Sequence, residues 1–274
     1  MSDRYAVMGN PVAHSKSPQI HQLFAEQTGQ ALSYEKILVP LGEFQQALEA
    51  FRDSGGKGLN ITVPFKQDAR EVAHSVSERA RAGGAVNTLL FESNGRIFGD
   101  NTDGTGLVRD LRNNHAVHLA GKRILILGAG GAVRGVLPAL LGELPESITI
   151  ANRTETKAIE LAALFNAKLP VKGCGYDALG ERFDIVINGT SAGLTGELPP
   201  LPHTLLREGA SCYDMVYGDI PTVFQQWALE HDAALALDGL GMLVEQAAES
   251  FFIWRGISPD TAPVIEVLRQ AMAD

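Results

Sequence analysis

Ile124-Leu125-Ile126-Leu127 is an unbroken apolar run that leads directly into Gly128-Ala129-Gly130-Gly131-Ala132 and then into a helical pattern ending near Gly142. A strand without polar alternation is buried on both faces, which is the situation in a parallel sheet with helices on each side. Glycines between such a strand and its helix let backbone N–H groups approach an anionic ligand at the positive end of the helix dipole. The third small position of the G-x-G-x-x-G spacing is Val133, a departure that alters how the helix seats on its strand. On this motif alone, a tight strand-to-helix turn with no ligand stays open.

The following strand adds weight to the ligand. Dinucleotide folds read the adenosine ribose roughly 20 residues beyond the glycines, where an acidic side chain selects NAD. Here the chain has Asn152-Arg153-Thr154. A guanidinium stacks on adenine and pairs with a 2′-phosphate that a carboxylate would repel, so the spacing points to NADP. Lys157 adds charge one turn on, and Thr154 is placed to cap the helix. The blander reading of Arg153 is a solvated loop residue.

Further strands are expected near Ser147–Ala151, Phe183–Asn188, Ser211–Asp214 and residues 234–238, with a helix over residues 154–165. Together they make residues 104–238 a doubly wound unit. The first 103 residues have their own βαβ rhythm: strands near Tyr5–Gly9, residues 34–39, 59–63 and 85–91, with helical patterns after residue 18 and from Phe44 to Phe51. Asn94-Gly95 turns the last of these strands into a hairpin with residues 96–99. Residues 239–274 carry two helical patterns separated by Gly256-Ile257-Ser258-Pro259 and no strand; too short to fold alone, they pack on the N-terminal domain. The fold class is therefore α/β with two domains, a mainly parallel α/β domain and an inserted Rossmann-like doubly wound domain. A length of 274 residues suits two domains of about 150 residues each.

A formal charge of −9 argues against nucleic acid or an anionic membrane as partner, since both need clustered cations. No stretch approaches the ~18 apolar residues of a membrane span, and the start of the chain has no leader-like pattern. Cys174 and Cys212 lie far apart, as expected of reduced thiols in a cytoplasmic protein. The seven histidines have no metal-ligand spacing, so no metal is expected, and His14 reads as a loop residue.

The N-terminal half places polar residues where apolar ones are expected. In Asn60-Ile61-Thr62-Val63-Pro64-Phe65-Lys66, Asn60 and Thr62 share a strand face, and the proline delivers Lys66 to the first turn of a helix. That position suits proton exchange near neutral pH, and it also suits an exposed lysine. Asp100-Asn101-Thr102-Asp103-Gly104 reads equally as a turn with a helix cap.

These segments, with Gly9-Asn10-Pro11, Ser15-Lys16-Ser17-Pro18, Gly84-Ala85-Val86-Asn87-Thr88, Asp214-Met215-Val216-Tyr217 and Asp238-Gly239-Leu240-Gly241-Met242-Leu243, occur in an order that resembles the shikimate/quinate dehydrogenase family over essentially the whole length. The resemblance implies reversible NADPH-dependent reduction of 3-dehydroshikimate to shikimate, on the route to chorismate and the aromatic amino acids. It implies Lys66 and Asp103 as the catalytic pair, and Ser15, Ser17, Asn60, Thr62, Asn87, Tyr217 and Gln246 around a small-molecule substrate. It assigns Gly128, Ala129, Gly130, Gly131, Ala132, Asn152, Arg153, Thr154, Lys157, Thr190, Ser191, Met215, Gly239 and Met242 to the cofactor. Lys157 departs from the pattern, because an arginine there would clamp phosphate more strongly. The nearest rival is a quinate/shikimate dehydrogenase with relaxed NAD/NADP use, against which Arg153 speaks. A noncatalytic relative is opposed by the presence of both Lys66 and Asp103. Nothing resembles an oligomer seam, so a monomer and a homodimer are both compatible.

Overall fold

The computed structural model describes residues 2–166, 169–190 and 197–273. In chain order the elements begin with β1 (Asp3–Gly9), α1 (Ser17–Thr28), β2 (Leu32–Leu38), α2 (Phe44–Asp53), β3 (Gly56–Ile61), α3 (Lys66–Val72), β4 (Ser75–Val76), α4 (Glu78–Gly83), β5 (Thr88–Phe91) and β6 (Ile97–Asp100). α5 (Asp103–Arg109) follows and continues as a π-helical turn, Asp110–Asn114. Next come β7 (Arg123–Leu127), α6 (Gly131–Gly142), β8 (Ser147–Ala151), α7 (Glu155–Ala163), β9 (Val171–Cys174), β10 (Phe183–Asn188), β11 (Leu206–Asp214), α8 (Val223–Glu230) and β12 (Leu235–Leu237). α9 (Leu240–Arg255) and α10 (Ala262–Ala273) end the series.

Contacts divide the chain into two compact units, Met1–Gly106 with Leu243–Val267, and Leu107–Met242 with Leu268–Asp274. The tail thus differs from the expectation that kept it whole with the first domain. From Leu268 it groups with the second unit, where the Arg269 guanidinium forks onto Asp238 at 2.6 and 2.7 Å.

The first unit has a mixed six-stranded sheet in the order β2-β1-β3-β5-β6-β4. β1 pairs in parallel with β2 and β3, while β5 and β6 form the antiparallel hairpin signalled by Asn94-Gly95. One face packs Met8, Leu59 and Ile61 against Leu48 and Phe51 of α2, and α9 contributes Trp254, which stacks on Tyr5 and donates its indole N–H to the Leu89 carbonyl at 2.9 Å. β5 starts later than the expected residue 85. Val86 and Asn87 give their N–H groups to the carbonyls of Lys66 and Asp100, which binds the Gly84–Asn87 segment to the Lys66 and Asp100 ends of its neighbours.

The second unit has a parallel six-stranded sheet in the order β12-β11-β10-β7-β8-β9, the doubly wound arrangement. Its central strand shows why the apolar run is unbroken. Ile124 and Ile126 enter one core with Val133, Val136, Leu137 and Leu140 of α6, and Leu125 and Leu127 enter another with Phe183, Phe224 and Trp227. Each fully buried side chain of this size stabilises the fold by about 2 kcal/mol in transfer terms. The order reverses between β7 and β10, and a ligand site is expected beyond the carboxyl ends of those strands. Among the described residues, no helix is long and apolar enough to cross a membrane.

Candidate functional site

At that reversal the second unit has a cavity of ≈ 710 Å³. Gly128, Ala129, Gly130, Gly131, Ala132, Asn152, Arg153, Thr154, Lys157 and Thr190 all line it, so the glycine loop and the strand-end cluster of the sequence meet in one place. Gly128 has a φ of 101°, and a Cβ there would lie 3.2 Å from both the Gly189 carbonyl oxygen and Thr190 Cγ2. Glycine is required at that turn. A Cβ at Gly130 or Gly131 would meet no protein atom within 4 Å, so the loop that opens α6 leaves free space at the positive end of the helix. These features fit a pyrophosphate, and the cations Arg153 and Lys157 on the same lining fit a further phosphate.

Thr190 is held from behind by a buried chain: Asn188 Oδ1 accepts the Thr190 N–H at 3.2 Å and its hydroxyl at 2.8 Å, and Asn188 Nδ2 donates to Asp214 Oδ1 at 3.1 Å. Asp214 is fully buried, and burial pushes its carboxyl above the usual aspartate range. Sequence reasoning missed Asn188 as a site residue, although a polar residue ending an apolar strand was a usable signal. Tyr176 and Gly189 also line the cavity and had been missed. Burial raises the Tyr176 hydroxyl's pKa, and the neighbouring Arg153 charge works against that rise.

Met215, Gly239 and Met242 do not line the cavity; they follow the ends of β11 and β12. A Cβ at Gly239 would sit 2.3 Å from the Met215 carbonyl oxygen, so glycine is what lets these two segments touch. Tyr217 lies two residues past Met215 and is half-buried, and burial, then Asp238, raises its hydroxyl. Ser191 lies outside the described residues.

The first unit gathers the remaining predicted residues. Lys66, opening α3, places Nζ 2.5 Å from Asp103 Oδ2, and the two side chains are 25% and 12% exposed. Asp103 Oδ1 accepts from Asn87 Nδ2 at 2.8 Å. The same amide reaches Thr102 Oγ1 at 2.9 Å and Gln246 Oε1 at 3.3 Å, while Asn87 Oδ1 accepts the Thr102 N–H at 2.9 Å. An ammonium, a carboxylate and two amides thus meet where solvent still reaches the lysine, an arrangement able to deliver one proton to a polar group set against it.

Asn60 does something other than expected. It is buried, its Oδ1 accepts from Tyr34 Oη at 2.7 Å, and its Nδ2 donates to Ser250 Oγ at 3.0 Å and Thr88 Oγ1 at 3.2 Å. His21 Nε2 also approaches Asn60 Oδ1, at 3.2 Å. These protein groups take up the side-chain amide of Asn60. Burial drives His21 down to about 3, with the Asn60 bond acting in the opposite sense, so the ring is neutral. Its Nδ1 is buried with no partner. His21, Tyr34 and Ser250 were not singled out from sequence; each lies in an ordinary amphipathic or alternating pattern.

Thr62 is half-exposed just beyond β3, and its N–H bonds the Met8 carbonyl at 2.9 Å. Gly9 makes the approach of these loops possible, since a Cβ there would lie 2.3 Å from Thr62 Cγ2. In the loop after β1, the Ser15 hydroxyl donates to Ser17 Oγ at 3.1 Å and accepts the Ser17 N–H at 3.3 Å. Lys36 Nζ ties that loop down through the Ala13 carbonyl at 2.5 Å.

Three families of domain match along the chain. Residues 7–89 match the shikimate dehydrogenase substrate binding domain, residues 110–195 shikimate / quinate 5-dehydrogenase, and residues 239–269 the shikimate 5'-dehydrogenase C-terminal domain. The chain is 64% identical over 269 residues to a shikimate dehydrogenase (NADP(+)) of Alkalilimnicola ehrlichii, covering 98% of this chain and 99% of the relative. Among solved structures it is similar to an Ael1 enzyme from Pseudomonas putida, with a TM-score of 0.90, 48% identity and coverage of 97% and 98% of the two chains. It is also similar to shikimate 5-dehydrogenase from Thermus thermophilus in complex with NADP(H) and shikimate, with a TM-score of 0.87, 35% identity and coverage of 98% and 99%. Identity at this level along nearly the whole length, joined to the glycine-lined cavity and the Lys66–Asp103 pair, means that the chain belongs to the shikimate dehydrogenase family.

Proposed function

We propose that this chain catalyses the reversible NADPH-dependent reduction of the ring ketone of 3-dehydroshikimate to shikimate. The observation that carries the reading is the ion pair of Lys66 Nζ with Asp103 Oδ2 at 2.5 Å, braced by Asn87. NADPH supplies the hydride when bound; the N–H groups of the Gly128–Ala132 loop would receive its pyrophosphate, and Arg153 and Lys157 would hold its 2′-phosphate. Asn152, Thr154, Thr190 and Ser191 complete that assignment, and Met215, Gly239 and Met242 serve the nicotinamide half.

The reduced carbonyl oxygen needs a proton, and Lys66 Nζ donates it. Asp103 orients Nζ and balances its charge. Asn87, Gln246 and Thr62 hold ring hydroxyls and the Ser15 and Ser17 hydroxyls hold the carboxylate, while Asn60 keeps that wall in place. Tyr217 keeps the substrate role that the family resemblance gives it. The first unit is accordingly the substrate domain and the second the NADP domain. Cys174 and Cys212 are free thiols, in keeping with a cytoplasmic protein.

NADPH oxidation measured side by side with 3-dehydroshikimate and 3-dehydroquinate tests the reading. Turnover on 3-dehydroshikimate at a clearly higher kcat/KM is expected. Equal or better turnover of 3-dehydroquinate would overturn the substrate assignment.

A further inference from the structure

Arg79 sits in the first turn of α4 and is not among the residues expected to touch a ligand, yet its guanidinium makes four hydrogen bonds to three other segments. Nε and one terminal nitrogen fork onto Asp100, at 2.8 Å to Oδ1 and 2.7 Å to Oδ2. That terminal nitrogen also donates to Glu249 Oε1 at 2.7 Å, and the other terminal nitrogen donates to Thr105 Oγ1 at 2.7 Å. Asp100 ends β6 three residues before Asp103, and Thr105 lies two residues after it in α5. Glu249 lies three residues beyond Gln246, one turn along the same face of α9.

One planar cation therefore grips both sides of Asp103 and the turn of α9 that carries Gln246. Asp100 extends the grip: its backbone carbonyl accepts the Asn87 N–H at 3.0 Å, and its Oδ1 accepts the Asn101 N–H at 2.7 Å. Asn101 Oδ1 in turn accepts the Asp103 N–H at 3.1 Å. Ser77 Oγ, which caps α4 by accepting the Ala80 N–H, also donates to Asp100 Oδ1 at 2.5 Å. Asp100 and Glu249 are 4% and 9% exposed, so both carboxylates need a partner in place. Lysine would supply the charge but has no fork with which to reach Asp100, Glu249 and Thr105 in fixed geometry.

We propose that Arg79 is the positioning residue of this site, fixing Asp103, Asn87 and Gln246 against one another through Asp100, Thr105 and Glu249. The inference rests on the dehydrogenase reading above, and wild-type turnover of 3-dehydroshikimate checks that reading separately. Displacing a reacting group by about 1 Å costs on the order of 100-fold in rate. Arg79→Lys should lower kcat about 10- to 100-fold while the Kd for NADP+, bound by the other unit, stays within about two-fold of wild type.

The decisive measurement is a double-mutant cycle with Asp103→Asn by single-turnover kinetics. If Arg79 acts through Asp103, adding Arg79→Lys to Asp103→Asn should cost less than about three-fold further. Thr105→Val, which deletes one of the four bonds at constant shape, provides a fold-safe second variant with a smaller loss and the same unchanged NADP+ affinity. Millimolar guanidinium should restore part of kcat in Arg79→Ala. Wild-type kcat in folded Arg79→Lys, fully multiplicative losses in the cycle, or wild-type kcat in Thr105→Val should Arg79→Lys not fold, would each overturn the inference.

Discussion

Lys66 and Asp103 come from separate elements, α3 and the start of α5, and meet at 2.5 Å. Lys66→Ala should lower kcat by about 100- to 10,000-fold, the range of a positioned proton donor, with NADPH affinity intact because the lysine belongs to the other unit. Steady-state kinetics with NADPH fluorescence titration checks both halves, and near-wild-type kcat would remove Lys66 from the mechanism. Arg153→Ala should raise the KM for NADPH and leave NADH nearly untouched, narrowing the preference; an unchanged ratio would transfer the recognition to Lys157. His21 bears on stability instead. Its pKa is lowered from 6.5 to about 3 in the fold, so below pH 6.5 the unfolded chain binds a proton that the folded chain does not. Stability should then fall as pH drops from 6.5 toward 3, by up to about 1.4 kcal/mol per pH unit. Urea midpoints should therefore decline less between pH 6.5 and 5 in His21→Gln than in the wild type, and equal slopes would show that His21 is not buried neutral.

At the scale of elements, the junction of β7 and α6 divides its work between glycines. Gly128→Ala forces a Cβ onto a φ of 101° against Gly189 and Thr190, and should destabilise by about 1–2 kcal/mol. At Gly130 an added Cβ meets no protein atom within 4 Å, so Gly130→Val should leave the melting temperature nearly unchanged while weakening NADPH binding. A thermal melt paired with a binding isotherm separates the two effects, and a Gly130→Val that binds normally would show that the cradle is not used. This junction was readable in the sequence because buried parallel strands leave continuous apolar runs and because the turn needs glycine. β4, with two residues, and β9, with a glycine in four, are too short to show a period. α8 was overlooked although Thr222 and Gln225 form a capping box ahead of Phe224, Trp227 and Ala228. Asn60 and Asn87 illustrate the limit within the site. Asn60 stood out as a polar residue among apolar ones and Asn87 entered with the family resemblance, but only the packing of Tyr34, His21 and Ser250 around Asn60 reveals that its bonds are already taken.

For the molecule as a whole, the division into two sheets followed from the two hydrophobic rhythms of the chain, although the first sheet is mixed where a mainly parallel one was expected, whereas the grouping of the tail from Leu268 with the second unit, where Arg269 pairs with Asp238, is encoded by no periodicity. The two tryptophans fall one in each unit: Trp254, stacked on Tyr5 in the first, and Trp227, stacked on Phe224 and His231 in the second. Each unit therefore carries its own intrinsic fluorophore, and the variants Trp227→Phe and Trp254→Phe turn emission into a unit-specific thermometer. NADP+ at about a hundred-fold over its Kd should add about 2.7 kcal/mol to the transition seen by Trp227, and shikimate should act first on the one seen by Trp254. A reversed response would exchange the ligands between the units.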